Sequence, residues 1–473
     1  MTEATKADHS RITRGSASRA ASDGAAAAAH DGAPRDSASW IARDAAAVWH
    51  PFTQHATWTD DDPTVVERAE GPWLFDVDGR RYLDGVSSLW TTTLGHGHPD
   101  VDAAIIAQLA KLDHSTFLGT THTPGIELSE ALIDSAPQGN GPELTKVFYA
   151  GDGSSAVEAA LKIAYQYSTQ TGRSRPKFVR LNHAYHGDTL GAVAVGGHDL
   201  FHRAYRPLLL DTVGVASPGD RSLGEDRNAL AAAELRSVMD DHGDQVCAII
   251  VEPMIQGAAG MLDYDAAFLR TARELADAHG ALLIFDEVAT GFGRTGRMWA
   301  AEHAGVVPDL LTCGKGITGG YLPLSAVLAA EHVYEAFLAR PGDRAPRTFF
   351  HGHTYTANPL CCAAALANLR VMGEQDVIGQ AARLGERLAK LLEPLGAKGG
   401  VVEIRRLGTM VGVEVAPAVE RTGFAVCQAA RERGVWLRPL GDTVVVMPPL
   451  TLGDEETDLL VDALAEAIDE VVA

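Results

Sequence analysis

Paired cysteines are missing from this sequence. The five present, Cys247, Cys313, Cys361, Cys362 and Cys427, are odd in number, and none sits in a Cys-x-x-Cys pair. A secreted disulfide framework and a zinc knuckle are both disfavoured. Long apolar stretches are missing too, since no uninterrupted run reaches the ~18 residues of a membrane span. The start of the chain has no charged segment followed by an apolar one, and the alanines at Ala25–Ala29 are too few and too weakly apolar to act as a secretion signal. A soluble, cytoplasmic protein is expected. Basic charge is scarce: 40 Lys and Arg stand against 62 Asp and Glu, a net charge of −22. Nucleic acids and anionic membranes favour a basic footprint, so neither is expected as a partner.

What is there is a large, glycine-rich chain. Its 473 residues, 46% of them hydrophobic, allow about three domains and exclude wholesale disorder. Residues 1–45 are an exception. They are mostly Ala, Ser, Asp, Gly and Arg, too poor in large apolar side chains to offset the entropy of ordering, and a disordered tail is expected there. Order is expected from Val48-Trp49-His50-Pro51-Phe52 onward. Trp73–Asp84 reads as a hairpin turning at Asp78-Gly79. The apolar runs Lys146–Ala150, Val246–Val251 and Ala281–Phe285 read as strands, the last two continuous enough to be covered on both faces. Between them, Ser155–Tyr167 and Ala266–His279 read as helices, the second closed by Gly280. Alternation of this kind predicts an α/β domain with a large, doubly wound, mostly parallel sheet. From about Glu374 the pattern changes to a helix near Gly379–Leu392 and strands near Val401–Arg405, Met410–Val415 and Val444–Met447, a smaller α+β domain.

Three constellations carry chemistry. In Tyr149-Ala150-Gly151-Asp152-Gly153-Ser154-Ser155 a strand ends, a glycine turn follows and a helix opens. Such a turn points free N–H groups and the positive helix end at one spot, which suits a phosphate; Gly153 permits close approach and Ser154 adds a hydroxyl. The same residues also suit an ordinary turn with a capping serine. In Leu283-Ile284-Phe285-Asp286-Glu287-Val288, Asp286 sits where an apolar strand ends, the edge at which open parallel sheets hold ligands. A buried carboxylate there needs a cationic partner, whether a protonated pyridine nitrogen, a salt-bridging side chain or a metal. In Cys313-Gly314-Lys315-Gly316, a lysine between glycines follows another apolar run. Shielded from water, Lys315 would serve as a neutral amine; left exposed, it would be an ordinary surface lysine. Together these are the parts a pyridoxal phosphate site needs, with Tyr185 of Asn182-His183-Ala184-Tyr185-His186-Gly187-Asp188 available to lie on the ring. His183 and His186 lack a third ligand at a zinc spacing, so no metal is expected.

The order Gly153-Ser154, Tyr185-His186-Gly187, Glu252-Pro253, Asp286-Glu287-Val288, Gly291-Phe292-Gly293-Arg294-Thr295-Gly296, Gly314-Lys315-Gly316 and His351-Gly352-His353-Thr354 resembles the class III (ω-) aminotransferases from about Val48 to the end of the chain. Trp49-His50-Pro51-Phe52, Ser87-Ser88-Leu89-Trp90 and Leu437-Arg438-Pro439-Leu440-Gly441 look most like the members of that family that aminate 8-amino-7-oxononanoate in biotin biosynthesis. The resemblance implies a fold-type I pyridoxal phosphate transferase: a large domain over residues 87–374 and a small domain built from 46–86 and 375–473. It implies that Lys315 bears the cofactor, Asp286 pairs with its ring nitrogen, Tyr185 stacks on the ring, and Gly153 and Ser154 bind its phosphate. Thr354 resembles the residue that reaches the phosphate of a neighbouring subunit, which implies a homodimer. Phe52, Trp90, Asp188, Gly352 and Arg438, with Lys315, are implied to contact small-molecule substrates, Arg438 through a carboxylate. The amino donor implied is S-adenosylmethionine. Phe52 and Leu89, where many members carry Tyr and Trp, look more like a branch in which lysine replaces that donor. Gly151-Asp152 also departs from the commoner Asp/Asn-Ser before the phosphate glycine.

Overall fold

The computed structural model describes residues 36–197, 203–343 and 345–472. The chain divides into two compact units, one ending at Val65 and the other beginning at Val66. In the first unit, Ser37–Ala47 is a helix started by the Asp36 side chain, which accepts from Ser39 N at 2.9 Å. The expected tail therefore needs correction at its end: residues 1–35 lie outside the described residues, but the stretch after them is helical. Its alanines have high helix propensity, which a reading for core-forming bulk does not register. Further on, His50 pairs with Asp44 at 2.7 Å and stacks on Trp58.

The second unit holds a seven-stranded sheet in the order Leu144–Ala150, Ser325–Ala330, Leu310–Cys313, Leu282–Asp286, Val246–Val251, Lys177–Leu181, Thr212–Val215. Only Ser325–Ala330 runs against its neighbours; the remaining pairings are parallel. Every residue of Val246–Val251, Leu282–Asp286, Leu310–Cys313 and Ser325–Ala330 is buried, so both faces of the sheet are covered there. The helix expected at Ser155–Tyr167 spans Gly153–Gln170 and packs its Ala156, Val157, Ala160, Ile163 and Ala164 face inward. Ala266–His279 ends where Gly280 turns left-handed at φ 63°. Within this helix, buried Arg273 holds Asp309 at 2.8 Å, tying helix to sheet. Removing one partner of such a pair costs about 3–5 kcal/mol.

A second sheet, Val401–Leu407, Met410–Val415, Thr443–Val446 and Arg438–Leu440, is antiparallel throughout and belongs with helices Val377–Gly396, Thr422–Glu432 and Asp454–Val472. In a third, the expected hairpin of Trp73–Asp76 and Arg81–Asp84 gains Val435–Trp436 as a parallel neighbour, joining the early part of this unit to its late part. The apolar interior falls into two clusters. One surrounds the seven-stranded sheet. The other packs Leu83, Val86, Trp90, Ile255, Ala258 and Met261 with side chains from Leu384 to Ile468.

Polar residues of the Asp286–Gly296 segment stitch the clusters together. Arg294 is buried and donates to Pro448 O (2.7 Å) and Thr92 O (2.9 Å). Burial lowers its guanidinium to about 9. Glu287 is fully buried and accepts from Thr290 Oγ1 (2.5 Å), Ala300 N (3.0 Å) and Ala301 N (2.8 Å), so it caps the short helix Ala300–His303. Burial raises its carboxyl from 4.5 to about 7. Between those values the folded chain holds a proton that the unfolded chain has released. This contribution to stability is complete below the unfolded value, declines as pH rises through the folded one, and is level above it. Glu287→Gln removes that titration. The stability of the wild type relative to the variant should fall with rising pH across this window, by at most about 1.4 kcal/mol per pH unit, and then level off. Urea unfolding of both proteins from about pH 5 to about pH 8 measures it. A difference that does not change with pH would show Glu287 ionised throughout.

Candidate active site

The helix Gly153–Gln170 begins at the edge where Leu144–Ala150 ends. Asp152 is its cap, accepting from Ser155 N and Ser155 Oγ, both at 2.9 Å. Ser325 Oγ donates to Asp152 O at 2.6 Å and fixes the turn. Gly153 and Ser154 occupy the first turn, whose N–H groups have no acceptor inside the helix and face outward with its positive end. Ser154 Oγ accepts from Asp188 N at 3.0 Å, which leaves its own proton free to donate elsewhere. Gly187, at φ 117°, is required beside it, because a methyl there would fall 1.8 Å from Ser154 Oγ.

Asp286 ends its strand at 4% exposure. Three donors surround it: His186 Nδ1 to Oδ2 at 2.7 Å, and Thr312 Oγ1 (3.0 Å) and Val288 N (3.1 Å) to Oδ1. The partner found for Asp286 within the chain is thus an imidazole, itself fully buried, whose Nε2 has no hydrogen bond among the described residues. His183, three residues before it in the chain, faces Asp220 instead, at 3.4 Å.

Gly314 and the short helix Lys315–Thr318 follow the neighbouring strand Leu310–Cys313. A methyl on Gly314 would stand 3.4 Å from Val288 and 3.7 Å from the Cα of Gly153, so the phosphate-type turn, the Asp286 strand end and the lysine loop converge. Lys315 is held left-handed at φ 43°, with its Nζ 5.3 Å from the centre of the Trp90 ring. Burial lowers its pKa, Asp286 and Glu252 oppose that, and Arg294 adds to it. The local sequence around Lys315 has no charged neighbour, yet the fold brings three. The amine is tuned by residues distant in sequence.

Trp90 is buried, at φ 65°, in a tight turn with Ser87 and Ser88. Asp84 holds that turn by accepting from Val86 N (3.2 Å) and Ser88 N (2.7 Å). Tyr185 OH donates to Asp188 Oδ2 at 2.9 Å, and Tyr185 N donates to Glu252 Oε1 at 3.1 Å. Burial raises the Tyr185 hydroxyl pKa well above its usual range, and Asp188 adds to that, so the phenol stays protonated.

The remaining expected residues are less enclosed. Gly352 and Thr354 are exposed, in the stretch whose His353 ring lies against Gly151 of the phosphate-type turn. Arg438 is exposed at the start of an edge strand and makes no ion pair among the described residues. Leu437 before it packs under Gly85, and Gly85 N bonds Trp436 O at 3.0 Å, so the Arg438 strand adjoins the chain leading to Trp90. Phe52 belongs to the first compact unit, exposed at φ 53°. Sequence reasoning missed the pairing of His186 with Asp286, the Thr312 hydroxyl and the bridging role of Glu252. The one available signal was an acid at Glu252, directly after an all-apolar strand.

An anion seat, a buried acid and a desolvated amine on three converging loops fit the phosphate, ring nitrogen and aldehyde of pyridoxal phosphate. Residues 55–468 match the aminotransferase class-III family. An adenosylmethionine-8-amino-7-oxononanoate aminotransferase of Nitratidesulfovibrio vulgaris is 48% identical over 442 residues, 90% of this chain and 80% of that protein. The crystal structure of the Methanocaldococcus jannaschii protein of the same name superposes with a TM-score of 0.87 at 37% identity, covering 93% of this chain and 100% of that one. An amine transaminase from an uncultivated Pseudomonas species, in its PLP-bound form, gives 0.83 at 33% identity, covering 90% and 98%. The chain therefore belongs to the class III aminotransferases, enzymes whose cofactor is pyridoxal phosphate.

Proposed function

We propose that this enzyme transfers an amino group to 8-amino-7-oxononanoate, forming 7,8-diaminononanoate for biotin, with S-adenosylmethionine as donor. The observation that carries this reading is the 48% identity, over nine-tenths of the chain, to a relative named for that reaction. Lys315 would hold the cofactor's aldehyde, Asp286 its ring nitrogen, Tyr185 its face, and Gly153 and Ser154 with the helix end its phosphate. Pyridoxal phosphate supplies an electron sink that acidifies the carbon bearing the amine. The chain supplies the rest. Lys315, its ammonium form disfavoured by burial, would take the proton from that carbon and deliver it to the carbon of the cofactor's aldehyde, so that the amine changes owner. Trp90 closes one side of the slot and keeps water from the amine. Asp188, whose backbone N–H bonds Ser154 Oγ, would meet the amino end of the keto substrate. Arg438, with no carboxylate of its own, offers a planar fork to a substrate carboxylate.

The enzyme is read as a cytoplasmic homodimer with shared sites, Thr354 reaching the neighbouring phosphate. Support comes from the surface beside Thr354, where Leu118, Phe350 and Tyr355 are each more than half exposed, an apolar face that a second copy would cover. Among the described residues no helix is long and apolar enough to cross a membrane. A second reading, an ω-transaminase for another amine with pyruvate or 2-oxoglutarate, is favoured by the likeness to the Pseudomonas amine transaminase.

Lys315→Ala should still take up pyridoxal phosphate but lose turnover by several orders of magnitude, read from product formation; near-normal transamination would end the proposal. Asp286→Asn should be nearly as damaging, because the amide cannot match a charged ring nitrogen, and unchanged activity would remove its role. The donor is read directly. Addition of S-adenosylmethionine should bleach the yellow holoenzyme, and 8-amino-7-oxononanoate should then restore the colour. Bleaching by lysine instead would reassign the donor, and colour restored only by pyruvate or 2-oxoglutarate would favour the second reading.

A further inference from the structure

Glu252 stands at the seam between the two apolar clusters. Val246–Val251 before it belongs to the core of the main sheet, and Ile255, Ala258 and Met261 after it belong to the other cluster. The side chain is buried, and its two oxygens are divided. Oε1 accepts from Tyr185 N at 3.1 Å and Oε2 from Gly257 N at 3.0 Å. The two amides belong to separate segments. Tyr185, next to the His186 that binds Asp286, is taken as one wall of the space around Lys315. Gly257 carries the other, since a methyl at that position would meet the Trp90 ring at 3.2 Å, and the same ring faces Lys315 Nζ.

The segment bearing the second wall is held under strain. Met254 and Met261 are left-handed at φ 69° and 60°. Non-glycine residues in that region cost about 1–3 kcal/mol each and persist only where the surroundings dictate them. Here the surroundings are Glu252 on Gly257, Tyr264 N on Met254 O (3.0 Å), and Arg405 Nε on Gly260 O (2.7 Å). Of these anchors, only Glu252 also grips Tyr185. Through Tyr185, Glu252 also steadies the segment whose His186 bonds Asp286 at 2.7 Å.

We propose that Glu252 is a positioning residue. Its carboxylate fixes the Tyr185 wall and the Gly257–Trp90 wall at one spacing, and so sets the width of the slot in which Lys315 meets cofactor and substrate. This rests on the reading of Lys315 as the cofactor lysine. Glu252→Gln keeps the shape but turns an amide donor toward one of the two N–H groups. The loss of one of the two buried acceptor oxygens should raise KM for 8-amino-7-oxononanoate about tenfold or more, with a smaller fall in kcat. It should also change the visible circular dichroism of the bound cofactor and weaken pyridoxal phosphate binding, read from tryptophan fluorescence. Glu252→Asp, with both acceptor oxygens on a shorter arm, should recover part of each effect, and it carries the comparison if the Gln variant does not fold. Tyr264→Phe removes only the hydroxyl that donates to Glu252 O at 2.5 Å. It should lower the unfolding midpoint and leave KM and dichroism unchanged. The proposal is overturned if Glu252→Gln lowers only the unfolding midpoint, or if Tyr264→Phe reproduces the KM rise. A wild type that ignores this keto acid defeats the substrate reading alone, because dichroism and cofactor affinity still decide the role of Glu252.

Discussion

A carboxylate at the end of an all-apolar strand loses several kcal/mol of hydration unless donors replace the water. At Asp286 they do: an imidazole, a hydroxyl and a backbone amide converge on its two oxygens. Each donor fixes something besides the charge. His186 brings the Tyr185–Asp188 segment to the sheet, Thr312 holds the neighbouring strand that leads to Lys315, and Val288 N folds the chain back past Gly153 and Gly314. With Asp286 misplaced, the phosphate-type turn, the aromatic wall and the lysine loop would have no common reference.

The same economy of buried charge recurs across the molecule. Glu252 and Glu287 lie at or just beyond the ends of adjacent strands, both fully wrapped, and burial raises both carboxyls to about 7. One accepts from Tyr185 N and Gly257 N, and the other caps the short helix Ala300–His303. Arg294, buried between two backbone carbonyls, and Arg405, buried against Gly260 O, Glu403 and Glu414, bind the segments on which the second cluster rests. Glu252, Asp286 and Arg294 act on Lys315, whose depressed basicity reflects burial and one guanidinium set against two acids. The packing of the two apolar clusters and the surroundings of Lys315 therefore rest on one set of buried polar groups.

Much of the fold could be read from local pattern. Continuous apolar runs marked the buried parallel strands, because such strands have no solvent face to leave a polar alternation. Gly280 and Asp78-Gly79 marked a helix end and a turn, because left-handed backbone there favours glycine. The helix Ser37–Ala47 was missed because weak apolarity was weighed above alanine's helix propensity. Within the site, Gly153, Ser154, Asp286 and Lys315 were legible because each sits at a strand end beside glycine or apolar sequence. His186 as the partner of Asp286 was not, since the two are a hundred positions apart and nothing local links them.

By itself the sequence determined the family, and it singled out the candidate residues and their order along the chain, because strand ends and glycine turns are local properties. Only the tertiary structure decided which charges surround the amine, which donor faces Asp286, and that Glu252 accepts from both Tyr185 N and Gly257 N. Those are distances between segments far apart in the chain. They are set by how the sheet orders its strands and how the two cores close on each other.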